Sequence, residues 1–212
     1  MNEEEIRQQM VTLGNFLAMR GYCPGSSGNI SARLRDGFLM TPTNSRLGML
    51  NADRISRLDA EGGHIGGDKM SKEVVVHLAL YRQRPRVNAV VHLHSPWCMA
   101  LSCLPDLPTE NALPPLTPYY VMRIGTLPMI PYYRPADPKL AREVGRAAAD
   151  HHAILLAQHG MIVGGKDLDD AVNSAEELEE TARLFFQLRG RPYNELAQDQ
   201  VAELERIFPN KL

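Results

Sequence analysis

Two short apolar runs, Val87 to Val91 and Ala153 to Ala157, both lead into histidines, and the fold must deliver those run ends to one place if the histidines act together. The first run passes directly into His92-Leu93-His94. Side chains two apart on a β-strand point the same way, so His92 and His94 face one layer while Leu93 faces the other. The second run closes at Gln158-His159-Gly160, where His159 supplies the third ring of a facial triad. Three neutral imidazoles leave a coordination position open on a zinc-like ion, as in catalytic rather than closed four-ligand sites. A bare His-x-His pair also occurs as ordinary polar side chains near a sheet edge; the third histidine favours the metal reading.

With 212 residues, 44% hydrophobic and 23% charged, the chain can bury one sizeable core, and a single domain over residues 1–212 is expected. A formal charge of −2 gives no reason to expect nucleic acid or an anionic membrane, which leaves small molecules and copies of the chain itself as partners. Cys23, Cys98 and Cys103 lack Cys-x-x-Cys spacing and are odd in number, so idle thiols are expected rather than disulfides or a thiolate metal site. The opening Met-Asn-Glu-Glu-Glu has no signal-peptide form and no run approaches a membrane span; a cytoplasmic protein is expected.

Ile6, Met10, Leu13 and Leu17 recur at helical spacing, with Gly21 placed to cap the end. Ile30 to Leu34 and Phe38 to Met40 flank Arg35-Asp36-Gly37, which predicts a hairpin. A third strand is expected over 54–58, a helix over 71–82 ended by Pro85, the strand 87–94, and a helix over 96–104. Residues 105–135 are proline-rich and carry Tyr119, Tyr120, Tyr132 and Tyr133, which predicts loops and extended segments. Asp137-Pro138 starts another helix, the His159 strand follows, Gly164-Gly165 turns the chain, and Asp167 caps a long amphipathic helix to about Leu188. This alternation predicts an α/β fold, a three-layer α/β/α sandwich. Its hairpins argue for a largely antiparallel or mixed sheet.

Gly25-Ser26-Ser27-Gly28-Asn29 offers main-chain amides to a phosphate oxygen, although a plain turn would use the same residues. Thr41-Pro42-Thr43-Asn44-Ser45, and Ser71-Lys72 at a helix start, are two more donor clusters, and the three together suggest one phosphate cup. Glu73 in the first turn of that helix either compensates the helix dipole or reaches the open metal positions as ligand or proton carrier. His77 reads as a core imidazole or one that supports a ligand, whereas His64, His151 and His152 are expected to be solvated.

Taken in order and spacing, Gly25-Ser26-Ser27-Gly28-Asn29-Ile30-Ser31, Thr41-Pro42-Thr43, Ser71-Lys72-Glu73, His92-Leu93-His94 and Gln158-His159-Gly160 resemble the class II aldolase/adducin family over nearly the whole chain. The resemblance implies zinc, or another divalent metal, at His92, His94 and His159. It also implies phosphate contacts from Gly28, Asn29, Thr43, Asn44 and Ser71, with Glu73 as an acid/base that ligates the metal when substrate is absent. A homotetramer is implied, with active sites between subunits and a tyrosine entering from the neighbour; Tyr119 matches that position best and Tyr120 competes.

Within the family, Ser71-Lys72-Glu73, Thr117-Pro118-Tyr119 and Tyr132-Tyr133-Arg134-Pro135 look like the branch that decarboxylates 3-oxo-tetronate 4-phosphate to dihydroxyacetone phosphate and CO2 through a metal-stabilised enediolate. Asn44 departs from the glycine that aldolases often carry there. The alternative is an aldolase that makes or cleaves a sugar phosphate from dihydroxyacetone phosphate and an aldehyde; a metal-free adducin-like interaction module is a third reading. Lys72 or Arg123 could hold the substrate carboxylate by charge pairing, against the plain reading of a solvated lysine.

Overall fold

In the computed structural model, which describes residues 1–209 and 212, an eight-stranded sheet separates two layers of helices. Helix α1 (Glu3–Met19) leads into strands β1 (Asn29–Leu34), β2 (Gly37–Met40), β3 (Ser56–Leu58) and β4 (His64–Gly66). Helix α2 (Val74–Gln83), strand β5 (Ala89–Leu93), helices α3 (Pro96–Ser102) and α4 (Pro118–Arg123), and strand β6 (Met129–Ile130) follow. Helix α5 (Pro138–Ala148), strands β7 (Ala153–Leu156) and β8 (Gly160–Gly165), and helices α6 (Leu168–Leu188) and α7 (Gln198–Ile207) complete the order. The strands lie β4-β3-β2-β1-β5-β8-β7-β6, and only the β6–β7 pairing is parallel.

Strand alternation builds the two cores. Ile30, Ala32, Val91 and Leu93 point into a core shared with Met10 and Leu17 of α1 and with Ala171, Ala175, Leu178 and Ala182 of α6. On the other face Val90, Ile154 and Ile162 meet Val76 and Leu80 of α2 and Leu140 and Val144 of α5. The expected three-layer sandwich with a mixed sheet is the fold observed. Among the described residues no helix is long and apolar enough to cross a membrane.

Local chemistry explains the boundaries. Asn2 and Glu5 form a reciprocal capping box at the start of α1. Asn51 caps a single 3-10 turn over Ala52–Arg54, which delays β3 to Ser56. Thr117 accepts from the Tyr120 amide and Pro118 occupies the first turn, so α4 forms inside the proline-rich stretch where loops were expected. Helix α7 was also not anticipated; its ladder begins at Val201 N–H to Ala197 O.

Two glycines were misplaced by sequence reasoning. Gly164 and Gly165 do not turn the chain but lie within β8. A Cβ at Gly164 would stand 2.8 Å from a Leu80 methyl and one at Gly165 would stand 2.3 Å from the Ala171 amide, so both allow helices to pack close to the strand. The turn is instead Ala157–His159, between β7 and β8, and His159 therefore sits on a hairpin turn rather than on a strand.

Candidate metal centre and phosphate cup

Two segments deliver the three histidines. His92 is the fourth residue of β5, His94 follows the strand end, and His159 comes from the β7–β8 turn beside it. That turn needs unusual backbone: Gln158 has φ +56° and Gly160 φ +112°. A Cβ at Gly160 would lie 2.3 Å from the Leu93 carbonyl oxygen, so only glycine lets the turn approach the end of β5 this closely. Glu73 occupies the N-cap position of α2 rather than lying inside its first turn, because Ser71–Glu73 form a preceding turn in which Val74 N–H reaches Ser71 O, and its side chain makes no capping bond to the helix.

Glu73, His92, His94 and His159 each aim one ligand atom so that all lie within 4.8 Å of one another. The three ring centroids are 4.9 to 5.0 Å apart, so the rings converge. His92 Nε2 is 3.1 Å from His94 Nε2 and 3.4 Å from Glu73 Oε2, and His159 Nε2 is 2.9 Å from Glu73 Oε1. Two nitrogens bound tetrahedrally at about 2.1 Å from one ion would stand about 3.4 Å apart, close to these separations.

Hydrogen bonding shows that these residues fit a cation. Burial pushes the His92 pKa down, so the ring is neutral, and its Nδ1 lies 2.7 Å from the Met161 carbonyl oxygen and must carry the proton. Its Nε2 then turns a lone pair toward the Glu73 carboxylate and toward His94, an arrangement of electron-rich atoms that a shared cation satisfies. Glu73 Oε1 is buried and makes no hydrogen bond of proper geometry despite its short approach to His159. Burial pushes His94 down to about 4, which keeps a second ring in the ligating form. Burial alone would raise Glu73; positive charge held by His92 and His159, as a proton or a shared cation, together with the Asn29 amide outweighs it and holds the carboxyl well below its ordinary range.

The cup lies alongside. A cavity of about 180 Å³ is lined by Gly28, Asn29, Thr43, Asn44, Ser71 and Lys72 together with Glu73, His94 and His159. Ser26, Ser27 and Pro135 complete its wall. All three donor clusters thus meet beside the histidines, with His92 fully buried behind them. Asn44 has φ +58°, the left-handed conformation that glycine takes most readily and asparagine tolerates, which accounts for the exchange at that position. Asn29 lines the cavity, but its side chain is engaged with Glu73 and His77 and its backbone pairs with His92 in the β1–β5 ladder.

Other expectations resolve differently. Tyr119 is 62% exposed whereas Tyr120 is buried with its hydroxyl toward Leu113 O. Tyr119 and Arg123 line a separate cavity with Lys166 and Phe208, and Arg123 lies 3.7 Å from Asp170. His152, expected to be solvated, is 4% exposed and burial depresses it to about 4. It directly precedes β7 and its carbonyl accepts from the Gly164 amide of β8, a long-range pairing that local composition cannot reveal.

Sequence reasoning missed Glu179. This fully buried α6 carboxylate accepts from Ser95 Oγ (2.6 Å), Trp97 N (2.7 Å) and Cys98 N (2.9 Å), capping the N-terminal end of α3 immediately after His94. Glu179→Ala is expected to destabilise the protein by about 3–5 kcal/mol, because three buried donors lose their acceptor. Urea unfolding measures this, and a loss below about 1 kcal/mol would contradict it.

A pH effect follows from the buried rings. His77 and His152 are held near 3 and 4 in the fold against 6.5 when unfolded, so unfolding takes up protons below pH 6.5. Stability of the metal-free protein is therefore full above 6.5 and falls toward 4, by up to about 1.4 kcal/mol per pH unit for each ring. Urea midpoints at pH 7.5 and 5 test it; equal midpoints would be the contrary result.

Comparison with known proteins places the chain. The sequence profile of the Class II Aldolase and Adducin N-terminal domain matches residues 8–186. A Haemophilus influenzae protein named 3-oxo-tetronate 4-phosphate decarboxylase is 52% identical over 206 residues, covering 97% of this chain and 98% of its own. An L-fuculose phosphate aldolase of the same organism is 36% identical over 190 residues, covering 89% and 85%. The crystal structure of Escherichia coli YgbL superposes with a TM-score of 0.93 at 49% identity, covering 95% of this chain and 98% of that one. The chain belongs to the class II aldolase and adducin family.

Proposed function

We propose that the protein is a carbon–carbon lyase that decarboxylates a 3-oxo-tetronate 4-phosphate to dihydroxyacetone phosphate. The observation that carries this reading is the single cavity in which three phosphate-type donor clusters border a converging Glu/His centre. The extended similarity to the Haemophilus influenzae decarboxylase supports the choice of substrate. His92, His94 and His159 would hold a divalent ion, zinc in this reading, with Glu73 as a fourth ligand before substrate arrives. The ion supplies a Lewis acid for charge that develops on the substrate's ketone and hydroxyl oxygens.

Gly28, Asn29, Thr43, Asn44 and Ser71 fix the phosphate end, so the C1 carboxylate lies at the rim. There the exposed Lys72 pairs with it until the C1–C2 bond breaks. CO2 leaves without the bonding pair, which delocalises from C2 into the C3 carbonyl. A proton from solvent then adds at C2, passed through Glu73 or through Tyr119 of a neighbouring copy, and replaces the lost carboxylate. The exposure of Tyr119 away from its own chain's cavity supports that second route and a homotetramer with sites between subunits. A cytoplasmic location accords with a small phosphorylated substrate.

Incubation of the purified enzyme with the oxo-tetronate phosphate should release CO2 in step with dihydroxyacetone phosphate. Absence of CO2, with aldehyde-dependent consumption of dihydroxyacetone phosphate, would reassign the protein as an aldolase, the reading that its 36% identical relative favours. A protein that takes up no stoichiometric metal when divalent ions are supplied and is inactive in both assays would be an interaction module.

A further inference from the structure

Behind Glu73 a buried chain of hydrogen bonds runs away from the cavity. Asn29 Nδ2 donates to Glu73 Oε2 at 2.8 Å, and Asn29 Oδ1 lies 2.6 Å from His77 Nε2. His77 Nδ1 lies 2.7 Å from Ser31 Oγ, which is 2.9 Å from Tyr81 Oη. Asn29, Ser31, His77 and Tyr81 are all at most 4% exposed. The spacing explains the meeting: Glu73, His77 and Tyr81 recur every four residues along α2, and Asn29 and Ser31 share one face of β1.

The chemistry allows one polarity. A carboxylate only accepts, so the Asn29 amide must turn its N–H to Glu73 and its oxygen to His77. His77 must then donate from Nε2. Burial holds this ring neutral, so its Nδ1 has only a lone pair and Ser31 donates to it. The Ser31 oxygen is left to accept from Tyr81, a phenol that burial keeps protonated. Beyond Tyr81 the guanidinium of Arg33 lies 4.7 Å from the phenol ring and donates to the Tyr81 carbonyl, closing the network against β1. Reversing any one link would set a lone pair against a lone pair.

We propose that His77, Ser31 and Tyr81 are positioning residues for the reaction: they lock the Asn29 carboxamide with its N–H on Glu73 Oε2, which leaves Oε1 as the oxygen that faces the reacting atoms. The inference rests on the acid/base role proposed for Glu73 and adds residues that touch neither substrate nor metal. Oε1 is the carboxylate oxygen without a hydrogen bond of its own, in keeping with that division of labour.

The test compares His77→Leu, His77→Gln and Ser31→Ala in the metal-loaded enzyme, reading kcat, KM, bound metal and melting temperature. His77→Leu should lower kcat about 10–100-fold, the usual cost of removing a group that orients a ligand, with KM within about twofold because the substitution removes no group that meets the phosphate. His77→Gln, whose amide can still donate to Asn29, should recover kcat to within about fivefold of the parent. Should His77→Leu fail to fold, Ser31→Ala stands in, since it removes a single hydroxyl, frees the His77 tautomer and should lower kcat about fivefold or more with KM unchanged. Parent-like kcat in these variants would overturn the proposal, as would equal loss in His77→Leu and His77→Gln tracking melting temperature. If Glu73→Gln itself retains activity, the fault lies with the role given to Glu73; if Glu73→Gln is inactive and the network variants are normal, it lies with the network alone.

Discussion

Replacement of His94 by alanine is expected to lower kcat/KM by about a thousandfold or more, because the ion's charge stabilisation amounts to several kcal/mol and each 1.4 kcal/mol is tenfold in rate. His94 is the informative ligand to remove. It is only partly buried and follows the strand end, whereas His92 is enclosed in β5 and bonded to the Met161 carbonyl, so its loss would disturb the sheet. Metal analysis of the purified variant beside CO2 release separates the effects: metal content and activity should fall together. Stoichiometric metal with activity within tenfold of the parent would remove the triad from the mechanism.

The second large effect is expected at Glu73. Glu73→Gln keeps the shape and still accepts from Asn29, yet it has no charge to offer a cation and carries no titratable proton. A loss of about 10²–10⁴ in kcat is expected, the range typical of a removed general acid/base. The change should lower the melting temperature of the metal-free protein, since the glutamine fills the same space and keeps the Asn29 bond but loses the ionised form that the folded site favours. Single-turnover measurements distinguish slowed chemistry from weakened binding, and a variant altered only in KM would refute the acid/base role.

Much of the site was legible because its motifs obey local periodicities. His92 and His94 follow the two-residue repeat of a strand, and Gly28, Thr43 and Ser71 lie in short turn-forming segments whose composition betrays them. The spacing of Glu73, His77 and Tyr81 was equally visible, but its meaning was not. A helix face reads as polar or apolar, and only its pairing with Asn29 and Ser31, 44 to 50 residues away, turns it into a directed network. Glu179 was invisible for the same reason, since its partner Ser95 lies 84 residues earlier and one glutamate beside Glu176, Glu177 and Glu180 in an amphipathic helix looks solvated. His152 and the paired Gly164-Gly165 were misread because burial and close packing belong to neighbours that composition does not name.

Residue order alone was enough for the layer architecture, the β1–β2 hairpin and the kinds of side chain that a metal and a phosphate would need, because periodicity and turn chemistry act within a few residues. Which atoms face each other was settled only when the β7–β8 turn folded against the end of β5 and α2 packed on β1. Ligand distances, ring tautomers and displaced pKa values all depend on burial and on partners brought from far along the chain, and those come into being only with the packed molecule.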